Sequence, residues 1–228
     1  MPTTNIDKIL GLGVGYGQLG LSEETRNLFI KEIDRQQKTI NTERRDVWTG
    51  DLNHFSTLHK TDLFKPLFKN LGECVREYCK NIGTNPSFFD FNVVRSWGTK
   101  ALTEQNIPIH AHSYASIAAV YYPKVPQNSG GIILGAETDH NELIPDLMSS
   151  ESYEQNILSS SNEFSARGIK IDPLNDSYIV FPAKTSHCTT PNLTEEPRYS
   201  IAIDIVMTLK ETSNIEYCLP PIKNWEII

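Results

Sequence analysis

The spacing of apolar residues changes near residue 88, from steps of three and four to steps of two, and that switch excludes most architectures for this chain. Before it, Phe64, Leu67, Phe68, Leu71, Val75 and Tyr78 recur as along one face of an amphipathic helix, with Gly83 where a helix stop belongs. A more polar helix is predicted from Ser22 to about Gln37. Ser22 suits the N-cap, and Glu23 and Glu24 favour the positive end of the helix dipole. After the switch, Phe89, Phe91, Val93 and Trp97 alternate with Asp90, Asn92 and Ser96, the pattern of a strand. Further strands are predicted over 114–122, 131–135, 169–172, 177–181 and 199–207, separated by turn-rich pieces such as PQNSG and DPLND. Helices first and strands after, with no alternation of the two, exclude a parallel βαβ sheet. They predict an α+β fold whose sheet is mainly antiparallel, a sandwich or barrel.

With 228 residues, the chain is read as one domain. Residues 1–87 form a mainly helical part, 88–210 the strand core and 211–228 a C-terminal extension. The net charge of −7 argues against a groove that tracks nucleic-acid phosphates. No apolar run reaches the roughly 18 to 20 residues of a membrane span. The opening MPTTNIDKIL lacks the charged and apolar regions of a secretory leader, so a cytoplasmic location is expected. Cysteines at 74, 79, 188 and 218 lack the close pairing of a zinc or redox motif, so reduced thiols are expected, with Cys74 and Cys79 packed on a helix. The run Gly11 to Gly17 (GLGVGYG) resembles a dinucleotide fingerprint but lacks its βαβ context, and is read as a turn or loose N-terminal strand. The long polar stretch Glu137 to Arg167 is read as a lid or insertion beside a site.

Chemistry concentrates in two places. The first is IPIHAHSYASIAAVYYP, where His110 and His112 stand two apart and, in extended chain, share one face. The second is FPAKTSHCTTPNLTEEPRYSIAIDI, where His187 follows a short buried strand and Arg198 opens another. Arg198 and Ser200 share a face, with the small Ala202 leaving room for a ligand. A guanidinium can grip a carboxylate through two hydrogen bonds, and the nearby hydroxyl adds a third donor. Three imidazoles suit a divalent transition metal, and open positions beside such ligands mark non-haem Fe(II) oxygenase sites. Arg198 could instead form an ion pair with Glu195 or Glu196. His54, His59 and His140 are read as ordinary polar residues, and Tyr121 and Tyr122 as sheet residues rather than cosubstrate contacts. Arg95 and Trp97 either border the cavity or belong to a strand of mixed faces.

The order His-x-His, a Tyr-Tyr strand, a Gly-Gly-initiated strand, Phe-Pro, His187 and then Arg198-Tyr199-Ser200 resembles the 2-oxoglutarate and Fe(II)-dependent oxygenase superfamily. Within it, the likeness is to the group whose motif runs His-x-His, Tyr-Tyr, Phe-Pro, His and Arg-x-Ser. The resemblance spans about 88 to 207. It implies a double-stranded β-helix, a jelly-roll or cupin-like core with the N-terminal helices packed on one sheet. It also implies Fe(II) and 2-oxoglutarate as cofactors, His187 as an iron ligand, Arg198 and Ser200 as the 2-oxoglutarate carboxylate site, and hydroxylation of a small-molecule or peptide substrate. The family's usual triad is His-x-Asp or His-x-Glu with a distal His, and this chain departs from it. If His110 is the first ligand, His112 replaces the carboxylate and the triad is all histidine. If His112 is first, Tyr114 falls at the carboxylate position and Glu137 or Asp139 are candidates to supply the charge. Two other readings stand beside the oxygenase. One is a non-catalytic domain binding a metal or carboxylate; the other is a cupin-like three-histidine metalloenzyme that does not use 2-oxoglutarate.

Overall fold

The computed structural model of the chain describes residues 11–38, 56–135, 143–145, 147–160, 162, 165–166, 168–212 and 217–228. Two helices precede most of the strands. Helix α1 runs over Glu23–Gln37 and is capped by Ser22, whose side chain accepts the Thr25 backbone N–H. Helix α2 covers Lys65–Asn81 and buries Leu67, Leu71, Val75, Tyr78 and Cys79, the face its spacing predicted. Gly83 follows with φ of 90°, the left-handed conformation that glycine adopts without steric cost.

The strands are β1 (Gly15–Gln18), β2 (Phe89–Ala101), β3 (Ile117–Lys124), β4 (Ile132–Leu134), β5 (Ile169–Ile171), β6 (Ser177–Pro182), β7 (His187–Thr189) and β8 (Arg198–Leu209). They form two sheets, ordered β1-β6-β3-β8-β2 and β5-β4-β7, and every pairing of named strands is antiparallel. A short helix, α3, covers Ser150–Glu154. The fold is thus α+β with antiparallel sheets. The glycine run ends in strand β1 and sits against helix α2. A Cβ on Gly15 would stand 2.9 Å from the Tyr78 ring, so close packing rather than phosphate binding calls for glycine there.

Alternation along the strands divides the interior in two. On one face of the five-stranded sheet, Ile117, Ala119, Tyr121, Val180, Tyr199, Ile201, Ile203 and Ile205 pack against Phe29 and Ile33 of α1 and the buried stripe of α2. On the other face, Ala118, Tyr122, Ile179 and Phe181 meet Ile132 and Leu134 of the smaller sheet. One expectation fails in an instructive way. Between Val93 and Arg95 the β2–β8 register shifts, so Val93 faces Ile205 and Arg95 faces Asp204, with Val94 as the extra residue of a bulge. That residue reverses the alternation. Phe91 and Val93 pack toward the helices, whereas Trp97, in phase with them by sequence, lines the space between the sheets.

Candidate metal and carboxylate site

The space between the sheets is a cavity walled by residues of both, including Trp97, Thr99, Tyr122, Ile132, Phe181 and Ala202. His110, His112, His187, Arg198 and Ser200 all line it. The two histidine segments are held together by backbone pairing. His110 N–H donates to the His187 carbonyl and His187 N–H donates to the His110 carbonyl, each at 2.9 Å. Two residues on, His112 N–H donates to the Ala183 carbonyl at 2.9 Å, which keeps the 110–112 segment extended and its two rings on one side. Ring centroids are 4.2 Å apart for His110 and His187, and 5.1 Å for each other pair. One nitrogen from each of the three rings lies within 4.8 Å of the others.

Hydrogen bonding selects which nitrogen each ring offers. The Nδ1 atoms of His110 and His187 lie 2.8 Å from the carbonyls of Pro108 and Thr185. A carbonyl only accepts, so Nδ1 carries the proton and Nε2 of each neutral ring keeps a lone pair. The rings are held neutral by burial above all. His187 is pushed down to about 4, first by burial and then by its neighbour His110, and His110 is lowered chiefly by burial. In the third ring, His112 Nδ1 makes a short hydrogen bond to Asp204, and its Nε2 is buried without a partner. A buried polar atom left unpaired is costly, and a metal ion held jointly with the other two imidazoles satisfies it. The donor set therefore fits a divalent transition metal, and among the described residues it is an all-imidazole set. Tyr114, the alternative at the carboxylate position, instead donates its hydroxyl to Asp204. Glu137, Asp139 and His140 lie outside the described residues, as do His54 and about a third of the stretch read as a lid.

Arg198 is buried, with 4% of its surface exposed, which excludes the surface ion pair weighed for it; Glu196 pairs with Lys124 instead. Its guanidinium donates to the Ser129 carbonyl at 2.6 Å, and among the described residues no carboxylate stands within ion-pair distance of it. Burial pushes its pKa down, the mark of a charge held away from water. The Gly-Gly pair explains how the group fits. A Cβ on Gly130, at φ of 82°, would lie 2.6 Å from the Pro191 carbonyl and 2.8 Å from Arg198 Nη1. Ser200 makes a short hydrogen bond to Thr99 on the same wall.

Tyr121 and Tyr122 are sheet residues of β3, as read from the sequence. Tyr122 also lines the cavity, and Arg198 acts electrostatically on its hydroxyl. Tyr121 points to the helices and donates to Asp176 at 2.8 Å. Asp204 was missed altogether, although a lone acid inside the apolar run IAIDIVM is the signal that would have found it. His59 is an ordinary polar residue as expected, with its backbone N–H and ring Nδ1 both on Ser96 Oγ.

A family model described as "Putative 2OG-Fe(II) oxygenase" matches residues 95–204, the span that contains the three histidines, Arg198, Ser200 and Asp204. No curated protein sequence matches the chain. Among solved structures, the chain is similar to HygX from Streptomyces hygroscopicus with nickel and 2-oxoglutarate bound, at 14% identity and a TM-score of 0.55, covering 92% of each chain. It is also similar to SnoN, a non-haem alpha-ketoglutarate-dependent epimerase from nogalamycin biosynthesis, at 12% identity and a TM-score of 0.55, over 86% of this chain and 76% of that one. A Pseudomonas putida prolyl-4-hydroxylase aligns at 11% identity and a TM-score of 0.50, covering 86% and 88% of the two chains. At these identities the likenesses establish shared fold. The family match spans the whole candidate site, so this chain is similar to the 2-oxoglutarate and Fe(II)-dependent oxygenases both in the sequence of that site and in fold.

Proposed function

We propose that the chain is an Fe(II)- and 2-oxoglutarate-dependent oxygenase that hydroxylates a small-molecule or peptide substrate. The two facing sheets are read as the halves of a double-stranded β-helix, and four free cysteines suit a reducing cytoplasm. One observation carries the reading: three imidazoles with neutral Nε2 donors share a cavity with a buried guanidinium that has no carboxylate partner among the described residues. Such a guanidinium is costly alone and is balanced by a ligand carboxylate.

Each residue then has a task. His110, His112 and His187 would hold Fe(II), and the hydrogen bonds on their Nδ1 atoms fix the direction of each ring. Arg198 would bind the distal carboxylate of 2-oxoglutarate, anchored from behind by the Ser129 carbonyl, while Ser200 and Thr99 offer hydroxyls on the same wall. Ala118 and Ala202 leave room between the sheets, and Ile107, Ile132 and Phe181 keep the wall apolar and exclude water. When bound, Fe(II) and 2-oxoglutarate together supply the activation of O₂, with the balance that 2-oxoglutarate, O₂ and a substrate C–H give succinate, CO₂ and a C–OH. A three-histidine enzyme that does not use 2-oxoglutarate leaves Arg198 without a role.

The test is Fe(II)-dependent formation of succinate from 2-oxoglutarate under air, measured without added substrate as slow uncoupled turnover. The reading expects succinate that requires both Fe(II) and an intact His187. Iron-loaded protein that forms no succinate above the level of Fe(II) alone contradicts it.

A further inference from the structure

A divalent cation at this site would be ringed by three neutral rings, because the position that a carboxylate fills in the usual triad is occupied by an imidazole. The negative charge is not absent from the site; it lies one ring further out. We propose that Asp204 supplies the charge of the metal centre through His112, acting as a positioning residue rather than a ligand. This inference rests on the reading of the three imidazoles as the metal's ligands.

Asp204 is fully buried at 0% exposure on the cavity face of β8. Both of its oxygens accept hydrogen bonds, Oδ1 from His112 Nδ1–H and Oδ2 from the Tyr114 hydroxyl. An ionised carboxylate is acceptor-only, so it suits two hydrogen bonds received on separate oxygens. Arg95 in turn donates to the Tyr114 oxygen at 2.5 Å, and its guanidinium lies over the rings of Trp97, at 5.0 Å, and Tyr114, at 5.4 Å. The chain Arg95–Tyr114–Asp204–His112 thus runs from the half-exposed Tyr114 to the one ring nitrogen of the triad that is buried without a partner.

Two consequences follow from this placement. The carboxylate fixes the His112 ring so that Nε2 faces the other imidazoles, and it makes that nitrogen a stronger donor, as a carboxylate behind a ligating histidine does. It also restores to the centre the single negative charge that an all-imidazole set lacks. The bulge at Val94 serves the arrangement by placing Arg95 opposite Asp204 on the cavity side.

Orientation and charge are separable. In Asp204→Asn the amide oxygen still accepts the His112 Nδ1–H, so the ring stays oriented while the charge is lost. The full-length protein, loaded anaerobically with Fe(II) alone, would be measured for Fe(II) affinity by chelator competition and for its Fe(III)/Fe(II) midpoint potential. Asp204→Asn is expected to bind Fe(II) about 10- to 100-fold more weakly and to shift the potential upward, because removing a negative charge favours the ferrous state. Wild-type affinity and potential in that variant would overturn the proposal and leave the metal site standing. A wild-type protein that takes up no Fe(II), or His187→Ala binding it as tightly as wild type, would instead remove the metal-site reading on which the proposal rests. Should Asp204→Asn fail to fold, Tyr114→Phe carries the test. It removes the phenol that shares the carboxylate's charge, so the potential is expected to fall, and an unchanged or raised potential would overturn the proposal.

Discussion

The two faces of strand β8 differ by one residue in phase and by everything in chemistry. Tyr199, Ile201, Ile203 and Ile205 face the helices in a continuous apolar core. Between them Arg198, Ser200 and Ala202 line the cavity, and Asp204 reaches His112. The helical face stabilises by burying area that any well-packed aliphatic side chain could supply. The cavity face holds a buried cation and a buried carboxylate that only particular partners satisfy. A strand with such faces positions its functional groups because the apolar half fixes register, and a slip by one residue would exchange the two sets.

The comparison breaks most sharply at the metal. His187→Ala removes one of three donors and is expected to abolish stoichiometric Fe(II) binding, an effect of at least about 100-fold in affinity given three ligands of similar weight. Its fold should persist, as circular dichroism of the metal-free variant would check. On the opposite face, Ile203→Ala leaves a cavity among fully buried side chains and should cost about 2 to 5 kcal/mol in urea unfolding. Fe(II) bound per folded molecule should not change. Folded Ile203→Ala protein that no longer bound Fe(II) would show that the two faces are coupled more tightly than packing implies.

The faces should also differ in their response to pH. The unfolded chain protonates His187 near its ordinary value of 6.5, whereas the folded, metal-free protein keeps the ring neutral down to about 4. A depressed folded-state value means that the unfolded state binds more protons within that window. The stability tied to this ring is therefore complete above 6.5 and is lost as pH falls toward 4, by roughly 3 kcal/mol if the ring acts alone. Thermal melts of metal-free protein between pH 7 and 4 should show the loss, with a shallower slope in His187→Ala. Ile203→Ala should lower the whole curve and leave its slope unchanged.

Where the sequence was legible, it was so through periodicity and spacing. Steps of three and four located α2, Ser22 located the start of α1, and the apolar runs located β3, β4, β5, β6 and β8 within a few residues. His110 and His112 share a face because extended chain dictates it. What stayed hidden depends on contacts between distant segments. The Val94 bulge, which sends Trp97 to the cavity, has no local signature, since the alternation reads the same with or without an extra residue until a partner strand is present. Strand β7 has only three residues and exists because His187 pairs with His110 and Cys188 with Ile133. Asp204 stood in plain view, but its tie to His112 spans 92 positions.

The most direct test of the central claim combines the metal and the guanidinium in one spectrum. Under anaerobic conditions, Fe(II) and 2-oxoglutarate added to the full-length protein should produce the weak visible charge-transfer band of a chelated complex. Arg198→Ala should bind Fe(II) as before yet need about 100-fold more 2-oxoglutarate for the same band, the cost of removing a two-bond carboxylate grip. Iron-loaded wild-type protein with no band at saturating 2-oxoglutarate, or an Arg198→Ala band that saturates at the wild-type concentration, would contradict the account.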